Sequence, residues 1–136
     1  MMFGLARKRT PSAPPLSLSQ NASGLPAPLP LKQIHPGRWR FSLFLNADLD
    51  TTEPIRAALA RAARALDAAT LELPAYTEGE DYIDGKLMLR GGRVDIYFEF
   101  ILGFIDLSSD DEVLLQEAGG ELCSAWDATS WVQRTW

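Results

Sequence analysis

Tyr82-Ile83-Asp84-Gly85-Lys86-Leu87-Met88-Leu89-Arg90-Gly91-Gly92-Arg93-Val94-Asp95-Ile96-Tyr97-Phe98-Glu99 is the stretch that decides the fold. Apolar and polar side chains alternate on both sides of Gly91-Gly92, as strands with one buried face require. Paired glycines adopt the positive φ of a two-residue hairpin turn, so the spacing predicts strands over Tyr82 to Arg90 and Arg93 to about Leu102. Pairing Arg90 with Arg93 sets Leu89 against Val94, Leu87 against Ile96, Gly85 against Phe98 and Ile83 against Phe100 on one face. Met88 then opposes Asp95, Lys86 opposes Tyr97 and Asp84 opposes Glu99 on the other. Apolar and polar positions separate cleanly, which supports this register.

Upstream, Arg38 to Ala47 alternates so that Trp39, Phe41, Leu43 and Leu45 share a face, a third strand. Asp48 to Thr52 supplies turn and N-cap residues, and Glu53-Pro54 suits a first helical turn. Ile55, Leu59, Ala62 and Leu66 recur at helical spacing, giving an amphipathic helix from Glu53 to about Ala69. Downstream, Gly103 bends the chain before Phe104 to Leu107. Ser109-Asp110-Asp111-Glu112 has capping-box spacing ahead of Val113, Leu114 and Ala118, and Gly119-Gly120 offers a C-cap. Leu122 to Trp126 then reads as a short strand, because glycines weaken a helix interior by ~1 kcal/mol each. A helix continuing through the glycines is the rival, since Leu115, Ala118, Leu122 and Trp126 fit one face. The expected fold class is α+β: a mainly antiparallel sheet of about four to five strands with two helices packed on it.

Charge divides the chain. Residues 1–40 hold six basic residues and no acid, whereas the rest holds all 18 acids against seven basic residues. The net charge of −5 therefore hides +6 followed by −11. Seven of the nine prolines precede residue 37. Residues 1–31 read as a flexible, basic, Pro/Ser-rich segment, and 32–136 as a single α+β domain. The cluster Arg7-Lys8-Arg9 is followed by prolines rather than by an apolar core, unlike a secretory signal. No stretch approaches the ~20 apolar residues of a membrane span. The one cysteine, Cys123, excludes an internal disulfide and suits a reducing compartment, so a cytoplasmic location is expected.

Chemistry finds little foothold. Structural zinc takes four Cys or His ligands, and this chain has one of each, Cys123 and His35. Glu78 to Asp84 is acidic but lacks the spacing of a calcium loop. Gly91-Gly92 leads into a strand, not into the helix of a phosphate-binding loop. In the register above, Asp84 beside Glu99 is the one carboxylate pair that acid–base work could use, and a solvated sheet surface is the better reading. No enzyme activity and no cofactor or metal is expected.

Two stretches carry a resemblance: FSLFLNADLDTTEPIRAAL, from Phe41, and VDIYFEFILGFIDLSSDDEVLLQEAGGELCSAWDA, from Val94. Together they resemble a family of small uncharacterised bacterial α+β proteins, some found as immunity proteins beside polymorphic or contact-dependent toxins. The resemblance spans roughly residues 38–128 and transfers no catalytic residue. It implies neutralisation of a cognate toxin domain by direct protein–protein contact. An acidic body suits a basic, nucleic-acid-degrading toxin. The alternative from the residues alone is a small-ligand-binding or regulatory domain without catalytic activity. The expected partner-binding residues are Glu78, Glu80, Asp81, Asp84, Asp95 and Glu99, with Trp131 and Trp136 as candidate aromatic anchors. The expected partner is the toxin, with no direct contact to nucleic acid or membrane.

Overall fold

The computed structural model describes residues 19–20, 26–27, 29–45, 49–125 and 131–133. The elements run β1 (Ser19–Gln20), β2 (Pro26–Ala27), β3 (Lys32–His35), β4 (Arg38–Leu45), α1 (Glu53–Ala65), β5 (Thr70–Glu72), β6 (Tyr82–Leu89), β7 (Gly92–Glu99), β8 (Phe104–Ser109), α2 (Glu112–Ala125) and β9 (Trp131–Gln133). This is the expected α+β class, with two helices and an antiparallel sheet. The sheet is larger than four to five strands. Six strands lie in the order β3-β4-β8-β7-β6-β5, and β9 also pairs with β4. On β4, residues 38–40 pair with β3 and residues 43–45 with β9, so these two short strands share one edge in tandem. The strands of this sheet that the sequence reading missed, β3, β5 and β9, have three or four residues each, and β1 and β2, two residues each, pair apart from it. That is too short for alternation to register, and every residue of β3 is exposed.

The β6–β7 hairpin turns one residue earlier than expected. Arg90 (φ 48°) and Gly91 (φ 81°) form the turn, and Leu89 pairs with Gly92. Each pairing therefore shifts by two residues: Leu87 opposes Val94, and Ile83 opposes Phe98. A two-residue shift preserves parity, so the buried and open faces are those read from the sequence. Tertiary contacts accompany this register. Leu114 of α2 packs on Gly92, and an ideal Cβ there would lie 2.7 Å from Leu114 Cδ2. Arg90 accepts a positive φ, which costs a non-glycine residue about 1 kcal/mol, and reaches Glu117 of α2 as an ion pair.

Helix α2 continues through Gly119-Gly120 to Ala125, so the strand expected at Leu122 to Trp126 does not form over its described part. Here packing overrides propensity. A Cβ at Gly119 would meet Leu29 Cδ1 at 2.6 Å and Phe41 Cδ2 at 3.2 Å, so the glycine lets the helix lie close on the sheet. The helix is capped by Asp111, two residues beyond the serine that opens the expected capping box. Its carboxylate accepts the Leu114 N–H at 3.0 Å. Ser109 instead accepts the Asp111 N–H and donates its hydroxyl to the Arg93 carbonyl.

Both helices cover one face of the sheet. Ile55 and Leu59 of α1 and Leu115 and Leu122 of α2 bury against Phe41, Leu43, Ile83, Val94, Phe98 and Ile105. Leu29, inside the segment read as a tail, is also core. Its N–H donates to Gln116 Oε1 at 2.8 Å and its carbonyl accepts from Gln116 Nε2 at 2.7 Å. The cluster Arg7-Lys8-Arg9 lies outside the described residues. Among the described residues, no helix is long and apolar enough to cross a membrane.

Candidate protein-binding surface

The sheet face away from the helices is built from the outward positions of β4 and β6–β8. Antiparallel pairing arranges them in rows. Tyr82 opposes Glu99, and Asp84 opposes Tyr97; Glu99 in turn opposes Phe104, and Tyr97 opposes Asp106. The carboxylates of Asp84 and Glu99 are thus not directly opposite each other. They occupy one diagonal of a four-residue block, and the two tyrosines occupy the other. The tyrosine rings stack with centroids 6.1 Å apart at 28°, and Phe104 extends the contact at 6.0 Å from Tyr97. The sequence signal for this was present. Tyr82 and Tyr97 stand at outward parity in a hairpin, where a large ring is not consumed by the core.

Charge is segregated along the strands. Toward the Arg90-Gly91 turn, Arg38 pairs with Asp95 and Asp110, Arg93 pairs with Asp95, and Lys86 lies 3.7 Å from Glu72. The guanidinium of Arg38 is held above its ordinary pKa, first by its hydrogen bond to Asp95. At the opposite end, Asp50, Glu53, Glu78, Asp81 and Asp84 form no ion pair among the described residues. Exposed apolar side chains stand among them: Tyr82 is 57% exposed, Ile101 71% and Leu102 68%. Ile101 and Leu102 sit on the β7–β8 turn, which is tied down by the Phe100 N–H bonding the Asp81 carbonyl at 2.8 Å and by Glu99 accepting the Leu102 N–H.

Glu80 behaves differently from its acidic neighbours. Arg56 of α1 grips it through Nε–Oε2 at 2.8 Å and Nη2–Oε1 at 2.9 Å, and Thr52 donates its hydroxyl to it. The Glu80 side chain is 9% exposed and that of Arg56 16%. The Arg56 bond holds the carboxyl below the usual glutamate range, against the opposing effect of burial. The Arg56 guanidinium also sits 5.6 Å above the Tyr76 ring. The phenol of Tyr76 is raised by desolvation and then by the negative charges of Glu53, Glu78 and Glu80. Thr52, Tyr76 and Glu80 border a cleft of about 100 Å³ running from Asp50 to Asp81 and Ile101.

Of the residues expected from the sequence, Asp84 and Glu99 share the four-residue block, Asp81 lines the cleft beside Ile101, Glu78 lies near Tyr76, and Asp84 also borders a cavity with Lys86 and Asp95. Glu80 is engaged as a structural tie, and Asp95 is engaged by two arginines toward the Arg90-Gly91 turn. Trp131 opens β9 and pairs with Leu45 on the far edge of β4; its side chain and Trp136 lie outside what the structure describes. The residues missed were Tyr76, Tyr82, Tyr97, Ile101 and Leu102. An apolar void between the helices and the sheet measures about 20 Å³, room for one water and far below an organic ligand. Among the described residues no three His, Cys, Asp or Glu side chains cluster as they would around a metal ion. Comparison of the chain with protein-family models, curated proteins and solved structures finds no match.

Proposed function

We propose that this chain is a binding protein of the immunity type, which neutralises a basic, nucleic-acid-degrading toxin domain in the bacterial cytoplasm by direct contact. The observation that carries the reading is the segregation on the open sheet face. Acids at one end are satisfied by arginines within the chain. At the other, Glu80 is held by Arg56, but Asp50, Glu53, Glu78, Asp81 and Asp84 form no ion pair among the described residues, and Tyr82, Ile101 and Leu102 are exposed there. Exposed apolar side chains are costly to solubility when clustered, and clusters of this kind mark interaction sites. Aromatic anchors surrounded by charge are the usual anatomy of a protein-binding hot spot. Unpaired carboxylates repel a nucleic acid but speed the approach of a basic protein. The buried thiol of Cys123 is compatible with a reducing compartment. The test is co-expression with the product of the reading frame immediately upstream. Rescue of growth together with co-purification supports the reading; a toxic product that is neither rescued nor bound rejects it.

A further inference from the structure

We propose that Tyr82, Asp84, Tyr97 and Glu99 form a recognition site for an arginine side chain of a protein partner. This rests on the protein-binding reading above and names the chemistry of its central contact.

The diagonal arrangement comes first. Cross-strand neighbours lie about 5 Å apart, so each tyrosine has a carboxylate beside it both along its own strand and across the pair. A cation resting on either ring is then within reach of a carboxylate without leaving the ring face. The rings attract it through their negative faces, and the carboxylates supply the counter-charge.

Arginine fits better than lysine. A guanidinium is planar, so it stacks flat on a phenol ring while its N–H groups fork toward a carboxylate, and it is more weakly hydrated than an ammonium. Asp84 is the carboxylate free to accept the fork, since it is exposed and forms no ion pair. Glu99 keeps one oxygen on the Leu102 N–H and offers the other. Ile101 and Leu102 flank the block, so an apolar side chain next to the arginine finds a surface there. Of the arginines on this face, Arg38 and Arg93 are held at the far end by Asp95 and Asp110.

The experiment titrates blocked triarginine, trilysine and an octathymidine strand into the isotope-labelled full chain at low salt, following backbone amides and tyrosine ring carbons by NMR. Triarginine is expected to move the rings of Tyr82 and Tyr97 and the amides of 82–84 and 97–102. Trilysine moves the same signals with an affinity about three- to fivefold lower. Tyr82→Leu and Tyr97→Leu are each expected to abolish that arginine preference, whereas Asp84→Asn weakens both peptides alike. The ring signals report the contact in the unmodified chain, so a variant that fails to fold does not block the test. Shifts centred instead on the α2 acids Glu112, Glu117 and Glu121 overturn the proposal. So do an arginine preference that survives both leucine variants, tighter binding of octathymidine to the same residues, and self-association that buries them in sedimentation. A failed rescue in the co-expression test with arginine preference intact removes the immunity reading and leaves the site. Rescue unaffected by Tyr82→Leu, Tyr97→Leu and Asp84→Asn removes the site and leaves the reading.

Discussion

Arg56 and Glu80, 24 residues apart, meet in a two-bond ion pair that ties the loop after β5 to the first turn of α1. Both side chains are largely removed from water. Removing one partner of such a pair leaves the other charge buried without compensation. Glu80→Ala is therefore expected to cost about 3 kcal/mol, read by urea denaturation. Glu78→Ala, on an exposed turn two residues away, should stay within about 0.5 kcal/mol. Equal effects would show that the pair is not the loop's anchor.

The same pair sets a pH dependence. The folded-state pKa of Glu80 is lowered, chiefly by the hydrogen bond from Arg56. A lowered carboxylate stabilises fully above the unfolded pKa, near 4.3, and that contribution is lost as pH falls through the folded value. Wild type and Glu80→Gln should thus differ by a constant amount at neutral pH. Their melting temperatures should converge only below about pH 4.3. Convergence between pH 7 and 5 would contradict the assignment.

The two hairpin glycines should fail for different reasons. Gly91 is at φ 81°, so Gly91→Val is strained by its backbone and should lose about 1–3 kcal/mol. Gly92 has no such φ; Gly92→Ala instead drives a methyl against Leu114. Combining Gly92→Ala with Leu114→Ala should recover part of the summed loss, a coupling measurable in a double-mutant cycle. Gly91→Val should add to Leu114→Ala without coupling.

Adjacent glycines of α2 should respond with opposite signs. Alanine is about 1 kcal/mol better than glycine in a helix interior. Gly120→Ala meets nothing within 4 Å and should gain stability by roughly that amount. Gly119→Ala must displace Leu29 and the ring of Phe41, and a net loss on the order of 1–2 kcal/mol is expected. Thermal denaturation of the two variants decides it; a gain at both positions would mean that α2 does not lie against Phe41.

Leu29 is 5% exposed and belongs to the core. Leu29→Ala should cost about 2–4 kcal/mol, measured by chemical denaturation. A truncation that removes residues 1–31 should lose at least as much, since it also strands the Gln116 amide that bonds both backbone groups of Leu29. No change would place residue 29 outside the cooperative unit.

Local patterning in the chain settles which side chains face which way. Parity in Ile83-Asp84-Gly85-Lys86-Leu87 and helical spacing in Ile55, Leu59 and Ala62 involve near neighbours alone, so the buried and open faces, the α+β class and the acidic body are legible in the sequence. Tyr82 and Tyr97 are legible too, as rings at outward parity. The remainder depends on contacts between distant residues, which no local pattern encodes. The turn at Arg90-Gly91, with Leu114 packed on Gly92, puts Tyr97, not Glu99, opposite Asp84. Leu29 and Phe41 against Gly119 carry α2 through two glycines. Arg38 with Asp95, 57 residues apart, and Arg56 with Glu80 remove two acids from the expected binding surface. A charge count cannot show this, because whether a carboxylate is available to a partner depends on which cation the fold brings beside it.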